Sequence, residues 1–398
     1  MLESRGEVLM CNQPEYSIQT IVNPLKKILK DFDIRESEGR KEYLGFPFSN
    51  YKELNRIISG IRESHFTVLA TSSINLRSQF MLQIAISIIC QNKIPVLYVC
   101  FDQSPDRLLK QTLSQQTGLS MRIIEHNKIK SNSQLKDSLK AGLEKFAKFQ
   151  SYLHLIAGCQ SDTVEQLEIH LSSIKQKFKT DKVILMVDSL QRIPSYNYHP
   201  TESSRVLDLA NRLKLVANAQ RVAVFAGSEI NEQGHQIDAT DNKDRITRKY
   251  CYGSADLHRF ADVLLTVSKS WIDNHELQAL LQKKAELSGY KDHTAPAMVV
   301  LDLFVDKLPN NIVTKDCVQF LASIDNGMLT ELGRFDEQAI LRQNRIDKIL
   351  TGLIDQNIIS FSHDNVDKNS AGVSSSDSNL SLDQSDKKKI KPTIRLKR

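Results

Sequence analysis

Two aspartates follow apolar stretches of this sequence, at places where a carboxylate could take part in phosphate chemistry. Asp188 ends the hydrophobic run of KVILMVDSLQ, and Asp102 comes after the run of VLYVCFDQSP. Ligands of open α/β sheets bind at the carboxyl ends of the strands, and a carboxylate there can hold Mg²⁺, usually through water. The structural alternative for each aspartate is a cap on the turn or helix that follows it.

The stretch FTVLATSSINLRSQFMLQIA, residues 66–85, has the outline of a strand, a polar loop and a helix. A phosphate-binding loop at such a place uses glycines to turn backbone N–H groups inward, a lysine to reach the outer phosphates, and a serine or threonine to bind magnesium. Here Thr71 and Leu76 stand at the two glycines, Arg77 stands at the lysine, and Ser78 is the expected hydroxyl. The candidate nucleotide-binding residues are Thr71, Asn75, Leu76, Arg77 and Ser78, and the candidate magnesium ligands are Ser78 and Asp188.

Strand and helix patterns alternate through the central part of the chain. Apolar runs predict strands at 66–70, 95–101, 153–157, 182–187, 222–226, 263–267, 297–305 and 317–323. Helical periodicity predicts helices at 78–91, 105–117, 132–149, 163–178 and 203–219, after a first one within 45–61. Several strands are apolar throughout, which is typical of a parallel sheet covered on both faces. The sequence therefore predicts a doubly wound, mostly parallel α/β sheet with helices on both faces.

The composition, with 40% hydrophobic and 25% charged residues among 398, is ordinary for a protein with a hydrophobic core. No apolar run approaches ~20 residues and the first residues lack an apolar signal segment, so we expect a cytoplasmic protein without a membrane span. The six cysteines lie far apart, and Cys90, Cys100 and Cys317 fall in apolar runs. This pattern predicts buried thiols in a reducing compartment, with neither a disulfide framework nor a zinc site.

The two ends of the chain differ in composition from its body. Residues 24–32, PLKKILKDF, have helical apolar spacing, so a short amphipathic helix is expected to pack on the body or on a neighbouring subunit. Residues 364–386 are rich in Ser, Asp and Asn, which predicts a disordered linker. Residues 387–398 hold seven of the 53 basic residues and no acid, so this tail either holds nucleic acid or another polyanion or is a solvated charge run. The predicted division is a linker segment at 1–44, the α/β domain at 45–335, a helix at 336–358, and the linker and tail at 359–398.

Taken in order, several segments resemble the C-terminal ATPase domain of DnaB-type hexameric replicative helicases, which has a RecA-like fold. SNYKELNRIISGI is similar to the family's TGFxxLDxLTGGL lead-in, VLYVCFDQSPDRLL to VLFFSLEMSxxQL, and VDSLQ to the Walker B segment IDYLQ. RLKLVANAQRVAVFAGSEIN is similar to LKxLAKELxVPVIxLSQLN, and YGSADLHRFADVLL to GSGxxxQxAD. ATSSINLRSQFMLQIA and LFVDKLPNN fall where the family has its phosphate loop and its KxRNG segment. The resemblance covers residues 45–333 and implies ATP and Mg²⁺ as cofactors.

The resemblance assigns a role to each candidate site residue. Asp188 corresponds to the Walker B aspartate and Ser78 to the magnesium-binding hydroxyl. Asp102 stands at the catalytic glutamate that orients the attacking water, but its side chain is shorter by a methylene, and a displacement of ~1 Å can cost orders of magnitude in rate. Glu229 stands at the sensor glutamine, where a carboxylate repels a polyanionic ligand. Arg77 keeps the charge of the phosphate-loop lysine as a bulkier planar group.

Two further departures concern the loop and the neighbouring subunit. Thr71 and Leu76, where the family has glycines, resist a left-handed backbone and fill the space of the phosphate oxygens. Lys307 keeps the first basic residue of KxRNG and is expected at the inter-subunit face. Pro309 replaces the arginine finger that reaches the neighbour's phosphates, a group worth ~10³–10⁵ in rate in related chemistry. Together these departures predict a RecA-like domain with weak or lost ATP turnover.

Helicases of this family bind single-stranded DNA through loops that follow the later strands, and the matching segments here are 192–200 and 231–252. The first combines a cation with aromatic rings suited to base stacking, and the second carries several cations. The candidate DNA-binding residues are Arg192, Tyr196, Tyr198, Lys243, Arg245, Arg248 and Lys249. The alternative is that both segments are exposed polar loops without a ligand.

Three functions are compatible with these observations. The first is a DNA- or partner-binding subunit of DNA replication or related DNA metabolism, with weak or lost ATPase activity. The alternatives are an active, divergent ATP-dependent helicase or translocase in which Arg77 clamps phosphate, and a signalling ATPase of the RecA/KaiC type. The resemblance implies single-stranded DNA as a ligand, and either a hexameric ring or an assembly with replication proteins. Residues 1–44 are too short for the family's N-terminal domain, which argues against autonomous unwinding, while ring assembly could persist through residues 24–32.

Overall fold

Nine strands form one mixed sheet in the part of the chain that the computed structural model describes, residues 43–125, 133–239, 244–253, 255–287, 297–336 and 338–355. The strands are β1 (Phe66–Thr71), β2 (Val96–Cys100), β3 (Leu153–Ala157), β4 (Ile184–Asp188), β5 (Ala223–Ser228), β6 (Val263–Lys269), β7 (Met298–Lys307), β8 (Cys317–Ser323) and β9 (Leu329–Arg334). Their order across the sheet is β3-β2-β4-β5-β1-β6-β7-β8-β9. The first six strands are parallel, and the last three continue the sheet in antiparallel pairs.

Helices connect the parallel strands and cover the sheet. Among the described residues they are α1 (Lys52–Ile58), α2 (Ile74–Asn92), α3 (Pro105–Thr117), α4 (Met121–Glu125), α5 (Ser133–Ala147), α6 (Val164–Phe178), α7 (Glu202–Gln220), α8 (Glu232–Ala239), α9 (Trp271–Leu287) and α10 (Ala339–Asp355). α3 illustrates how the sequence sets the bounds of a helix. Ser104 caps its start by accepting the Arg107 N–H, Pro105 occupies the first turn, and Gly118 ends it in the left-handed conformation.

The two faces of the sheet bury separate apolar clusters, because successive residues of a strand point to opposite faces. Leu69 of β1 lies in the cluster that contains Phe80 of α2. Its neighbour Val68 lies in the cluster that contains Leu171 of α6 and Leu209 of α7. All six residues of β1 are buried, as the uninterrupted apolar pattern predicts for a central parallel strand. The carboxyl ends of β1, β2, β4 and β5 therefore meet at one edge of the sheet.

The antiparallel strands β7, β8 and β9 carry a pair of helices on the far side of the sheet from β4. α9 and α10 pack on each other and on these strands, with Leu277, Leu281, Ile346 and Leu350 fully buried between them. Neither helix supplies a side chain to the ion-paired network described below. This pair therefore completes the fold without shaping the predicted catalytic residues.

The predicted doubly wound sheet is confirmed. Each of the eight predicted strands is present, and its ends differ from the prediction by at most two residues. One strand and three helices were missed: β9, α4, α8 and α9. The strong signals came from strands that are apolar on both faces, whereas α9 has a weak apolar stripe, since Leu277 and Leu281 are the buried residues among its described side chains.

Three predictions of local structure are wrong. The helix expected from Ser78 begins at Ile74, and the segment 231–252, expected to be a loop, begins with α8 because the Asn231 side chain accepts the Gly234 N–H and caps that helix. Cys90 is exposed because it lies in the last turn of α2, beyond the sheet. The predicted helix at 24–32, the linker at 364–386 and the basic tail lie outside the described residues. Within the described residues, no helix combines the length and hydropathy that a membrane span requires.

Candidate functional site

The connection between β1 and α2, where a phosphate-binding loop is predicted, contains only Ser72 and Ser73. Ser73 caps α2, because its side chain accepts the Leu76 N–H at 3.3 Å and its carbonyl accepts the Arg77 N–H at 3.0 Å. Thr71 is the last residue of β1 and is buried. Backbone N–H groups that would turn around a phosphate in a longer loop are thus used to start the helix.

Arg77 is buried, with 1% of its surface exposed, and its guanidinium joins the two aspartates that end β4 and follow β2. Nε lies 2.5 Å from Asp188 Oδ1, and Nη2 lies 2.5 Å from Asp102 Oδ2. Burial alone would lower the pKa of Arg77, but the two carboxylates raise it above its ordinary value. Arg77 is therefore a permanently charged group between the predicted metal ligand and the predicted catalytic carboxylate.

Gly227 of β5 makes room for this arrangement. Strand β5 pairs with β1, and Gly227 lies opposite Leu69. A Cβ atom on Gly227 would lie 2.5 Å from Arg77 Cδ and 2.8 Å from Arg77 Nε, which is closer than such atoms approach in proteins. The sequence analysis missed Gly227, although a glycine inside an apolar strand often marks the close approach of another group.

The second oxygen of the Asp188 carboxylate is also engaged. Oδ2 accepts hydrogen bonds from the Ser78 hydroxyl and, at 3.0 Å, from the Tyr98 hydroxyl. Tyr98 was not predicted, and burial together with the Asp188 carboxylate raises its pKa well above the usual value, so it remains a neutral donor. The two predicted magnesium ligands, Ser78 and Asp188, are thus bonded to each other and to protein donors. This donor set does not fit a magnesium ion without displacing Arg77.

Asp102 and Glu229 share a second arginine, Arg192. Arg192 Nε lies 3.1 Å from Asp102 Oδ1 and 2.9 Å from Glu229 Oε1, and the Ser189 hydroxyl donates to the same Glu229 oxygen at 3.2 Å. Burial raises the pKa of Asp102, and the charge of Arg77 acts in the opposite direction. The sheet therefore brings all three predicted catalytic residues into one ion-paired network with two arginines. Water-activating chemistry needs a free carboxylate, whereas both oxygens of Asp102 are paired.

Two residues of the predicted nucleotide set lie outside this network. Asn75, in the first turn of α2, is exposed, and its side-chain oxygen accepts from Gln103 Nε2 at 3.4 Å. Leu76 is half-buried against the apolar cluster under α2. Gln103 also donates to the Ser78 hydroxyl at 3.0 Å, so the amide links the helix to the segment after β2. Whether these residues contact a nucleotide stays a prediction.

The predicted DNA-binding residues fall into two groups. Tyr196 and Tyr198 are 78% and 90% exposed, and the Tyr196 hydroxyl donates to the Gln160 carbonyl at 2.7 Å. Arg248 and Lys249 are also exposed. Arg192 belongs to the ion-paired network, and Arg245 pairs with the buried Asp306 at 2.9 Å and lies over the Phe304 ring. Lys243 lies outside the described residues.

Lys307, predicted at an inter-subunit face, is buried at the end of β7. Its ammonium group donates to the His258 carbonyl at 2.6 Å and to the Ala261 carbonyl at 2.7 Å. Burial lowers its pKa. Pro309 follows in a short 3₁₀ turn. In this structure Lys307 thus stabilises a segment of its own chain, and an additional role toward a neighbouring subunit stays a prediction.

Comparison with known proteins bears on the whole described region. The family model for the DnaB-like helicase C terminal domain matches residues 47–306. A solved structure of an ATPase domain is similar to this chain with a TM-score of 0.62 at 15% sequence identity, over 79% of this chain and 99% of that one. A structure of a DnaB-like replicative helicase, described with its interactions with primase, is similar with a TM-score of 0.60 at 15% identity, over 79% of this chain and 67% of that one. No curated protein matches.

The structural similarity at this low identity concerns the fold alone, and it confirms the RecA-like architecture predicted from the sequence. The family match is a separate observation, because it rests on the sequence and extends over well over half of the chain. It includes the strand ends that carry Asp102, Asp188 and Glu229. The chain belongs to the DnaB-like helicase C-terminal domain family.

Proposed function

We propose that this protein is a helicase-fold subunit that binds single-stranded DNA or a partner protein and that has weak or no ATPase activity. The observation that carries the proposal is the pairing of Arg77 with both Asp188 and Asp102. DnaB-like domains use ATP with Mg²⁺, and in this chain a side chain supplies the positive charge at the corresponding carboxylates. The resident cation makes the metal unnecessary for holding these strands together.

The energetics of buried ion pairs support this proposal. Removing one partner from such a pair costs about 3–5 kcal/mol, because the remaining charge is left without compensation in a poorly solvated site. A magnesium ion that took Arg77's place would leave the guanidinium in the same position. Gly227 provides the space that the Arg77 stem occupies, and Tyr98 and Ser78 already satisfy the other oxygen of Asp188. Metal binding would therefore have to disrupt several favourable contacts at once.

The short loop before α2 supports the same proposal from the phosphate side. Its N–H groups close the first turn of the helix on Ser73, so they are not arranged around an anion. Glu229 adds a carboxylate on the other side of the network. A triphosphate would face these groups without the lysine and the glycine-rich turn that neutralise and surround phosphates in P-loop proteins.

The exposed residues of the segments 192–200 and 248–249 support a binding role. Tyr196 and Tyr198 present aromatic surface to solvent, and Arg248 and Lys249 add positive charge. Aromatic rings on which bases stack, combined with cations that follow the backbone, are the usual means of holding single-stranded nucleic acid. We extend the proposal to a role in DNA replication or related DNA metabolism, in a ring of identical copies or in an assembly with replication proteins.

An active divergent ATPase is the second candidate, and one observation favours it. The Ser78 hydroxyl contacts Asp188, so the two predicted magnesium ligands have kept their proximity. In this alternative, nucleotide binding would swing Arg77 out of the network to clamp a phosphate. The two candidates differ in turnover and can be separated by one measurement.

The first test is the release of phosphate from ATP by the full-length protein with Mg²⁺, in the presence and absence of single-stranded DNA. We expect no DNA-stimulated turnover above that of an Asp188→Asn variant, because Arg77 occupies the carboxylates. Thermal unfolding of both proteins checks that the variant is folded. DNA-stimulated hydrolysis that Asp188→Asn abolishes would reject the proposal in favour of the active ATPase.

The second test concerns DNA binding by Tyr198. Because this ring is exposed, Tyr198→Ala is expected to leave folding unchanged and to weaken binding of an oligo-dT strand by about 1–3 kcal/mol, or roughly 5- to 150-fold. Fluorescence anisotropy of a labelled strand measures the loss. Phe335→Ala, at a partly exposed ring after β9, is the matched control and should bind like the unmodified protein. Equal affinity for all three proteins would show that the segment 192–200 is not the DNA contact.

A further inference from the structure

A cavity of about 300 Å³ lies beside the short loop between β1 and α2. It lies on the β6 side of β1, whereas Arg77 and its partners lie on the β4 side. The apolar part of its lining comes from three neighbouring strands: Val267 of β6, Val299 and Leu301 of β7, and Ala322 of β8. Pockets that hold small molecules are commonly concave, largely apolar and of a few hundred Å³ or more. The cavity is thus large enough for a ligand the size of a single substituted ring.

The polar part of the lining comes from the loop, from α2 and from Asp238 of α8. One Asp238 oxygen accepts from the Ser72 hydroxyl, and the other accepts from the Lys269 backbone N–H at 2.9 Å. Both donors are uncharged. Among the described residues, no ion pair compensates the Asp238 carboxylate, and each of its oxygens has a further lone pair for a donor. The cavity therefore combines an apolar wall with a negative charge.

We propose that this cavity is a binding site for a small ligand with an apolar body and a protonated amine or amidine group that pairs with Asp238. A hydrogen bond to a charged partner contributes more than one between neutral groups, and a carboxylate repels an anion. The proposal goes beyond the function proposed above and holds whether or not the chain binds DNA. No pattern in the sequence points to this site, since Asp238 and the strands β6, β7 and β8 are distant in the chain.

Benzamidine is a suitable probe because it pairs an aromatic ring with a charged amidine. Its binding to the full-length protein can be followed by saturation-transfer NMR and calorimetry, beside neutral benzamide and anionic benzoate. We expect benzamidine to saturate the site with a dissociation constant on the order of 1 mM, an affinity typical of so small a ligand. Benzamide should bind at least about tenfold more weakly, and benzoate should not bind.

Asp238→Asn keeps the shape and the hydrogen-bonding ability of the side chain and removes its charge. We expect this variant to weaken benzamidine binding at least about tenfold. Asp106→Asn, at an exposed aspartate of α3, is the matched control and should leave binding unchanged. Three results would each overturn the proposal: absence of saturable benzamidine binding, equal binding of benzoate, or unchanged affinity in Asp238→Asn. The comparison of the three probes needs no variant, so it stands even if Asp238→Asn fails to fold.

Discussion

Arg77→Ala is expected to lower the free energy of unfolding by about 3–5 kcal/mol, the cost of leaving buried charges without their partner. Asp188 and Asp102 are almost fully buried, and Arg77 is the group that joins them. Urea unfolding followed by circular dichroism measures the change. Arg56→Ala is the matched control, because Arg56 pairs with Glu53 on the surface of α1, and its loss should cost about 1 kcal/mol or less.

The pH dependence of this loss tests its electrostatic origin. Burial already raises the pKa of Asp102, and removal of Arg77 should raise it further. A carboxyl group whose pKa is higher in the folded than in the unfolded chain destabilises the fold as the pH rises through the interval between the two values. The deficit of Arg77→Ala should therefore be smaller at about pH 5 than at about pH 7.5. A loss that is small, or independent of pH, would contradict a central role for the ion pairs.

Gly227→Ala is expected to destabilise the protein by about 1–3 kcal/mol, as overpacked core substitutions do. The added Cβ would lie 2.5 Å from Arg77 Cδ, so the arginine stem and β5 cannot both keep their positions. In an Arg77→Ala background the same substitution should cost close to nothing, because the stem is gone. The double-mutant cycle should thus yield a coupling free energy of about 1–3 kcal/mol.

Gly352→Ala provides the control for this cycle. Among the described residues, no heavy atom lies within 4 Å of the Cβ that would be added at Gly352 in α10. Alanine in a helix interior is better than glycine by about 0.5–1 kcal/mol, so this variant should be slightly more stable in both backgrounds. Additive effects of Gly227→Ala and Arg77→Ala would show that the two residues do not meet.

The fold was predictable because its central strands carry a strong local signal. β1, β2, β4 and β5 are buried on both faces, so each reads as an uninterrupted apolar run. α9 and β9 lack such a signal, since their burial depends on neighbours that are distant in the sequence. The start of α2 was missed for a local reason. Ser73 is a good N-cap, and without glycines the chain enters the helix at once.

The site was predictable in its membership and not in its contacts. Asp102, Asp188 and Ser78 come together because the carboxyl ends of neighbouring parallel strands share an edge, which the strand pattern implies. The direction of the Arg77 side chain depends on space at Gly227, on another strand and far along the chain. The hydroxyl of Tyr98 reaches Asp188 for the same kind of reason. Such contacts follow from packing, and no spacing in the sequence encodes them.

A metal ion or a nucleotide dissociates, whereas Arg77 is part of the chain. The charge that it brings to the carboxylates at the ends of β4 and β2 is present at synthesis and does not vary with the concentration of any solute. The strands around it are therefore held in one arrangement from the moment the chain folds. A domain of this kind is insensitive to the energy supply of the cell, and any signal it transmits must enter through its surface.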